Sequence, residues 1–217
     1  MRADQRDFID FMVSCEVLTF GDFVTKSGRA TPYFVNTGRY RTGAQVARLG
    51  RFYADAIVER GIEYDLLFGP AYKGIPLVVT TAVALATHHG LDIPFCFDRK
   101  EAKDHGEGGV LVGRKPRDGD RVLIVEDVTT AGTSVRETVP KLRASADIHI
   151  AGLIVSVDRM EKGATDRGAL AELRDEYGLD SFAIVTLDDI VEHLSPALTT
   201  GDRSRIAAYR EQWGARL

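Results

Sequence analysis

Hydrophobic residues recur along this chain with two spacings, and the two take turns over most of its length. Phe8, Phe11, Met12 and Cys15 lie at helical spacing, so the chain opens with an amphipathic helix. Residues 20–25 and 33–36 read as short strands around a turn-rich segment at 26–32. Val46, Leu49, Tyr53 and Ile57 mark one face of a helix over 44–60, which Gly61 stops. Beyond it come a strand at 65–68, a helix at 75–89, a strand at 94–97, a strand at 122–125 and a helix at 133–144. A strand at 150–157, a helix at 169–177 closed by Gly178, and a strand at 182–185 follow. A final helix over 202–213 sets Ile206, Tyr209 and Trp213 on one face. Pro140 conflicts with the helix around it, because it removes a hydrogen bond and clashes one turn back. A kink or an early end is expected there.

The strands are short, nearly continuous apolar runs, the mark of burial on both faces. Strands alternating with helices predict an α/β fold with a parallel sheet and helices on both sides. The first forty residues break the alternation and read as a small cap over the open end of the sheet. The length of 217 residues suits one domain with one sizeable core.

One stretch fits neither period. Residues 98–121 hold Gly106, Gly108, Gly109, Gly113 and Gly119 with little patterning. Loops beyond ~12–15 residues are uncommon unless functional or disordered, and a hairpin through 110–112 would shorten this one. Its charges are mixed, Arg99, Lys100 and Lys103 against Asp98, Glu101, Asp104 and Glu107. Extended, it sets Arg99, Lys103 and His105 on one side. That arrangement suits a flexible lid that brings cations down on a polyanion.

Composition narrows the classes. Hydrophobic content of 44% and charged content of 28% are ordinary for a globular chain. A net charge of −4 argues against nucleic acid as the main partner. Cys15 and Cys96 are lone cysteines, read as reduced buried thiols of a cytoplasmic protein. Met1–Arg6 leads into no long apolar run, so no signal peptide is expected. No segment approaches the ~18 apolar residues of a membrane span.

The chemistry concentrates in residues 122–134. A buried strand has no use for two acids at its end, yet Glu126 and Asp127 stand there; a ligand site at the mouth of a parallel sheet does use them. Val128, Thr129, Thr130, Ala131, Gly132, Thr133 and Ser134 then turn into a helix. A hydroxyl-rich turn at a helix N-terminus is a phosphate cradle, because free N–H groups and the helix dipole face the anion. Gly132 permits close approach or positive φ. Carboxylates for sugar hydroxyls beside a phosphate cradle point to a ribose phosphate.

This string resembles the signature of the type I phosphoribosyltransferases, which bind phosphoribosyl pyrophosphate (PRPP). Lys26-Ser-Gly with Pro32-Tyr-Phe-Val-Asn36, Phe68-Gly-Pro-Ala-Tyr-Lys-Gly-Ile75, the 99–108 run and Ser156-Val-Asp-Arg159 resemble the bacterial orotate phosphoribosyltransferases over nearly the whole chain. The resemblance implies a type I phosphoribosyltransferase fold, a mostly parallel central sheet with a small N-terminal hood of about residues 1–40. It implies transfer of phosphoribosyl from PRPP to orotate in pyrimidine synthesis.

It also implies roles. Tyr72 and Lys73 belong to the pyrophosphate loop, and Glu126 and Asp127 face the ribose, with Asp127 the firmer catalytic candidate. Arg99, Lys100, Lys103 and His105 contact pyrophosphate across a homodimer interface, Lys103 stabilising the leaving group and His105 donating a proton. Orotate would be held by Lys26, Phe34, Val35, Thr130 and Arg159, whose fork suits a carboxylate. Mg²⁺ is implied, bound mainly through PRPP oxygens, with no all-protein cage. His88 and His89, at a helix end, read as solvated or as dipole partners. Two rivals stay open: a phosphoribosyltransferase for another base, and a PRPP-sensing regulator. An ordinary nucleotide-binding α/β protein lacks support, for want of a Walker loop or a G-x-G-x-x-G turn.

Overall fold

The structure, a computed structural model, describes residues 1–24, 28–103, 109–129 and 131–215, without the side chains of 100–103 and 109. Helix α1 (Ala3–Ser14) is followed by the antiparallel pair β1 (Leu18–Val24) and β2 (Ala30–Val35), which form a sheet of their own. A 3-10 turn (Thr37–Arg39) leads to α2 (Gly43–Arg60). Then come β3 (Leu66–Gly69), α3 (Gly74–His89), β4 (Phe95–Lys103), β5 (Gly109–Gly113), β6 (Arg121–Val125) and α4 (Thr133–Ser145). The chain ends with β7 (His149–Asp158), α5 (Ala169–Tyr177), β8 (Asp180–Thr186), α6 (Leu187–Leu194) and α7 (Thr200–Trp213).

The six-stranded sheet runs β5-β4-β3-β6-β7-β8, parallel throughout except for β5 at one edge. Its middle strands carry the apolar runs: Leu66, Leu67, Phe68 and Val122 to Val125 are all fully buried. Alternate side chains enter two cores. Leu67, Leu123, Val125 and Ile154 pack with α1, α2 and α3 on one face. Leu66, Phe68, Ile124 and Leu153 pack with α4 and α5 on the other. The strand order reverses at β3 and β6, because β4 lies outside β3 while β7 lies outside β6. Helices α3 and α4 leave these two strands toward opposite faces, which opens a crevice at their carboxyl ends.

Three local expectations need correction. Helix α4 does not end at Pro140 but runs on to Ser145. Val135, Val139 and Leu142 are buried while Pro140 is exposed, so the lost hydrogen bond falls on the solvent side and burial of the opposite face holds the helix. In the 98–121 stretch the expected hairpin through 110–112 is present, but β4 extends further than the strand read at 94–97, to Lys103, with its register against β5 broken between Asp98 and Lys103. His89 is neither solvated nor a simple dipole partner, because its Nε2 meets Asp55 Oδ1 at 2.8 Å.

Candidate active site

The site begins where β6 stops. Glu126 and Asp127 are buried carboxylates, 6% and 8% exposed, at the centre of the sheet mouth. The backbone fixes them: Tyr53 Oη donates to Glu126 O at 2.8 Å, and Ser156 Oγ donates to Asp127 O at 2.6 Å. Their side chains diverge. Glu126 Oε2 accepts from Ser134 Oγ at 2.6 Å and Oε1 from the Asp127 N–H at 3.0 Å. Asp127 Oδ2 accepts from Lys73 Nζ and from Thr37 Oγ1, both at 2.8 Å.

Different partners give different acidities. Burial pushes the Glu126 carboxyl up to about 7, and the charge of Asp127 adds to this, while Ser134 opposes it. Burial also works upward on Asp127, but the hydrogen bond and charge of Lys73, with Val128 N–H and Thr37, outweigh it and hold that carboxyl below its ordinary value. One site therefore holds a reluctant acid and a firm anion side by side.

The turn after β6 leads directly into the N-terminus of α4. Gly132 has φ +70, and among the described residues no side chain caps the first amides of α4. A side chain at 132 would be strained at that φ and would meet Leu173 at 3.0 Å. The Gly132 N–H reaches Thr129 Oγ1 at 3.0 Å, which tightens the turn. Val128 continues the sheet as a bridge to Val157. Ala131 and Thr133 are exposed and Ser134 is half-buried. Thr130 lies outside the described residues.

The turn after β3 faces this cradle. A Cβ on Gly69 would meet Gly74 O at 2.2 Å, so only glycine lets the chain double back there. The Gly74 N–H closes on Pro70 O at 2.9 Å. Tyr72 and Lys73 project outward, the Lys73 side chain 57% exposed although its Nζ holds Asp127.

Arg159 follows β7 at the same end of the sheet. It is buried, with Nε and Nη2 on Glu161 Oε1 at 2.9 and 2.7 Å and its guanidinium 4.7 Å above the Tyr33 ring. That carboxylate oxygen also accepts from Tyr33 and Tyr209 Oη at 2.9 and 2.8 Å. Burial works against the Arg159 charge, but Tyr33 and Glu161 hold the guanidinium above its ordinary value. The Nε–Nη2 edge of the fork is thus committed inside the protein, and among the described residues Nη1 is the nitrogen that remains to offer a ligand. Phe34 and Val35 are half-buried in β2, Phe34 stacked on Phe23 with centroids 5.6 Å apart.

Of the residues singled out from sequence, the structure links Lys73, Asp127, Glu126 and Ser134 in one set of contacts. Arg159 stands one strand over, engaged elsewhere. Arg99 is half-buried in β4. The side chains of Lys100 and Lys103, and all of Lys26 and His105, lie outside the described residues. Thr37, Asp98 and Glu161 are contributors that sequence reasoning did not find. Among the described residues no group of three or more His, Cys, Asp or Glu is set to hold a metal, and no helix is long and apolar enough to cross a membrane.

Residues 36–193 match the model of the phosphoribosyl transferase domain. The chain is 54% identical over 224 residues to the orotate phosphoribosyltransferase of Clostridium beijerinckii, covering all of both chains. It is 51% identical over 215 residues to that of Yersinia enterocolitica, covering 99% of this chain and all of the relative. The crystal structure of the Francisella tularensis orotate phosphoribosyltransferase superposes with a TM-score of 0.87 at 38% identity, over 96% of this chain and all of that one.

Proposed function

The chain belongs to the phosphoribosyltransferase family, and we propose that it transfers the 5-phosphoribosyl group of PRPP to orotate. The products are orotidine 5′-monophosphate and pyrophosphate, a step of pyrimidine (UMP) synthesis. The supporting observation is the pairing of Lys73 with Asp127 across the mouth of β3 and β6, beside the uncapped start of α4.

PRPP displacement passes through an oxocarbenium-like state, in which the sugar gains positive and the leaving group negative charge. In this reading the Val128–Ser134 turn holds the 5-phosphate, and Asp127, with Glu126 behind it, orients the ribose hydroxyls. Tyr72 and Lys73 take the pyrophosphate end, where Lys73 meets the developing charge. Arg159 offers Nη1 to the orotate carboxylate, and Lys26, Thr130 and the Phe34–Val35 backbone seat the ring.

Arg99, Lys100, Lys103 and His105 act as a lid supplied by the partner subunit of a homodimer, Lys103 stabilising pyrophosphate and His105 protonating it. The first forty residues serve as a hood that excludes water, within a single domain of 217 residues. A Mg²⁺ carried on PRPP oxygens beside the two buried carboxylates would supply charge neutralisation when bound.

An ultraviolet assay of orotate consumption tests the reading. PRPP-dependent loss of orotate, uncompeted by uracil, adenine or hypoxanthine, is expected. Consumption of another base in preference to orotate overturns it.

A further inference from the structure

Asp98 lies at the point of β4 where the strand leaves its regular register with β5. It is 3% exposed, and both carboxylate oxygens are engaged. Oδ1 accepts the Ala71 N–H at 2.6 Å, and Oδ2 accepts from Lys141 Nζ at 3.0 Å. Lys141 belongs to α4, the helix whose first turn forms the phosphate cradle, and Ala71 begins the turn that ends in Lys73. One buried carboxylate thus ties the two anion-binding turns to each other and to the root of the β4–β5 hairpin.

We propose that Asp98 is a positioning residue that sets where the 70–73 turn stands relative to α4. This rests on the reading that the turn takes the pyrophosphate end of PRPP. The two phosphate ends of PRPP are joined through one ribose, so the turns that receive them must keep a fixed separation. Between them lies a cleft of about 460 Å³, walled by Pro70, Ala71, Ser134, Thr138 and Lys141 with Asp98 at its base. Among the described residues Asp98 is the acceptor that holds the Ala71 amide in that space. Pro70 has no N–H to give, and Gly69 and Gly74 are chosen for close approach rather than rigidity. An acceptor here aims the Ala71 N–H inward and so aims the Tyr72–Lys73 segment outward over Asp127. Lys141 explains how a carboxylate is tolerated at this depth, since a buried charge needs a partner. A displacement of the turn by ~1 Å is enough to cost a large factor in ligand use.

Two variants of the full-length chain separate this role from plain stability. Asp98→Ala removes the acceptor; Asp98→Asn keeps an oxygen for the Ala71 N–H but gives up the charge facing Lys141. Binding of PRPP and of inorganic pyrophosphate is measured by calorimetry with Mg²⁺ present, alongside KM for both substrates and Tm. Asp98→Ala is expected to weaken PRPP and pyrophosphate about tenfold, the effect of losing one buried hydrogen-bond partner. KM for orotate should stay within about twofold, and Asp98→Asn should recover PRPP binding to within about threefold of the parent.

Unchanged PRPP binding in Asp98→Ala overturns the proposal. So does equal loss of both substrates together with a fall in Tm, or an Asn variant as weak as the Ala variant. A parent protein that binds PRPP and pyrophosphate but leaves orotate unconsumed sinks the proposed substrate alone, since the calorimetric comparison still decides the role of Asp98. A parent that binds neither overturns both.

Discussion

Replacing Glu126 by Gln should make the protein more stable at pH 8 and leave it nearly unchanged at pH 4.5. In the folded protein burial lifts this carboxyl from its ordinary 4.5 to about 7. Between those values the folded state keeps a proton that the unfolded chain has released. The folded state then binds more protons, so stability falls as pH rises through this window. A shift of that size, at ~1.4 kcal/mol per pH unit, makes the whole effect about 3 kcal/mol. The group is 6% exposed, so solvent screening removes little of it. Gln imitates the protonated form: its oxygen still accepts the Asp127 N–H, and its amide can donate to Ser134 Oγ, which rotates to accept. Asp127 works the other way, contributing stability above its unfolded value that is lost as pH falls through its depressed one. It is present in both proteins and largely cancels in their difference. Urea unfolding of parent and variant from pH 4.5 to 8 measures that difference directly. It should grow steadily in favour of Gln up to pH 7 and then level off. A difference that stays flat across the range would falsify the assignment of Glu126 as the strained acid.

Three further outcomes are expected. Arg159→Ala should raise KM for orotate by an amount worth ~1.5–3 kcal/mol while PRPP binding stays close to normal; it should also lower Tm, because Glu161 loses its main buried partner. Equal weakening of both substrates would place Arg159 outside the base site. Lys103→Ala should reduce turnover by an amount worth ~2.7–4 kcal/mol of barrier with little change in orotate binding, and near-normal turnover would make Lys103 an ordinary solvated residue. Mixing inactive Lys103→Ala with inactive Asp127→Asn should restore part of the activity after subunit exchange, since a shared dimer then holds one site with neither defect; a mixture that stays dead despite confirmed exchange refutes the shared site.

The parts of this fold that can be read from the chain are those where one local signal suffices. The 122–125 run is apolar without interruption because β6 is buried on both faces, and helix α5 spans the residues its spacing marks, up to Gly178 at φ +70. Helix α6 is absent from the elements read from the sequence although its signal is there. Thr186 and Asp189 form a capping box, and Leu187, Ile190, Val191 and Leu194 follow at helical spacing. It was hidden by its direct junction with β8, where one apolar run serves both elements. At Pro140 the early end does not occur, because burial of the opposite face of α4 outweighs that local signal.

Site residues divide in the same way. Lys73, Glu126, Asp127 and the 128–134 turn sit in motifs whose spacing carries the chemistry. Thr37 and Asp98 act through partners 90 and 27 positions away, and Glu161 joins its near neighbour Arg159 to Tyr33, 128 positions away. Nothing in their neighbourhoods marks them, because their roles exist only once the sheet has brought those partners together.

The contact between Lys73 and Asp127 gives the site a way to change hands without changing charge. Before a ligand enters, the lysine compensates a carboxylate that is only 11% exposed, while its own side chain remains 57% exposed on the open side. The two groups therefore differ in freedom: Asp127 is held by Thr37 and by the strand it ends, and Lys73 hangs from a turn. A polyanion arriving over the 70–73 turn competes for the lysine and not for the aspartate. Under the proposed reading, Lys73 swings toward pyrophosphate, and Asp127 is left facing the ribose, where hydroxyl donors take the lysine's place. On that reading the carboxylate gains substrate partners as it loses the lysine, while Thr37 stays on it, and no buried charge is stranded in between. Burial raises the Glu126 carboxyl and so favours its protonated form beside Asp127, which lessens the charge two adjacent acids present to a site that must also accept a polyanion.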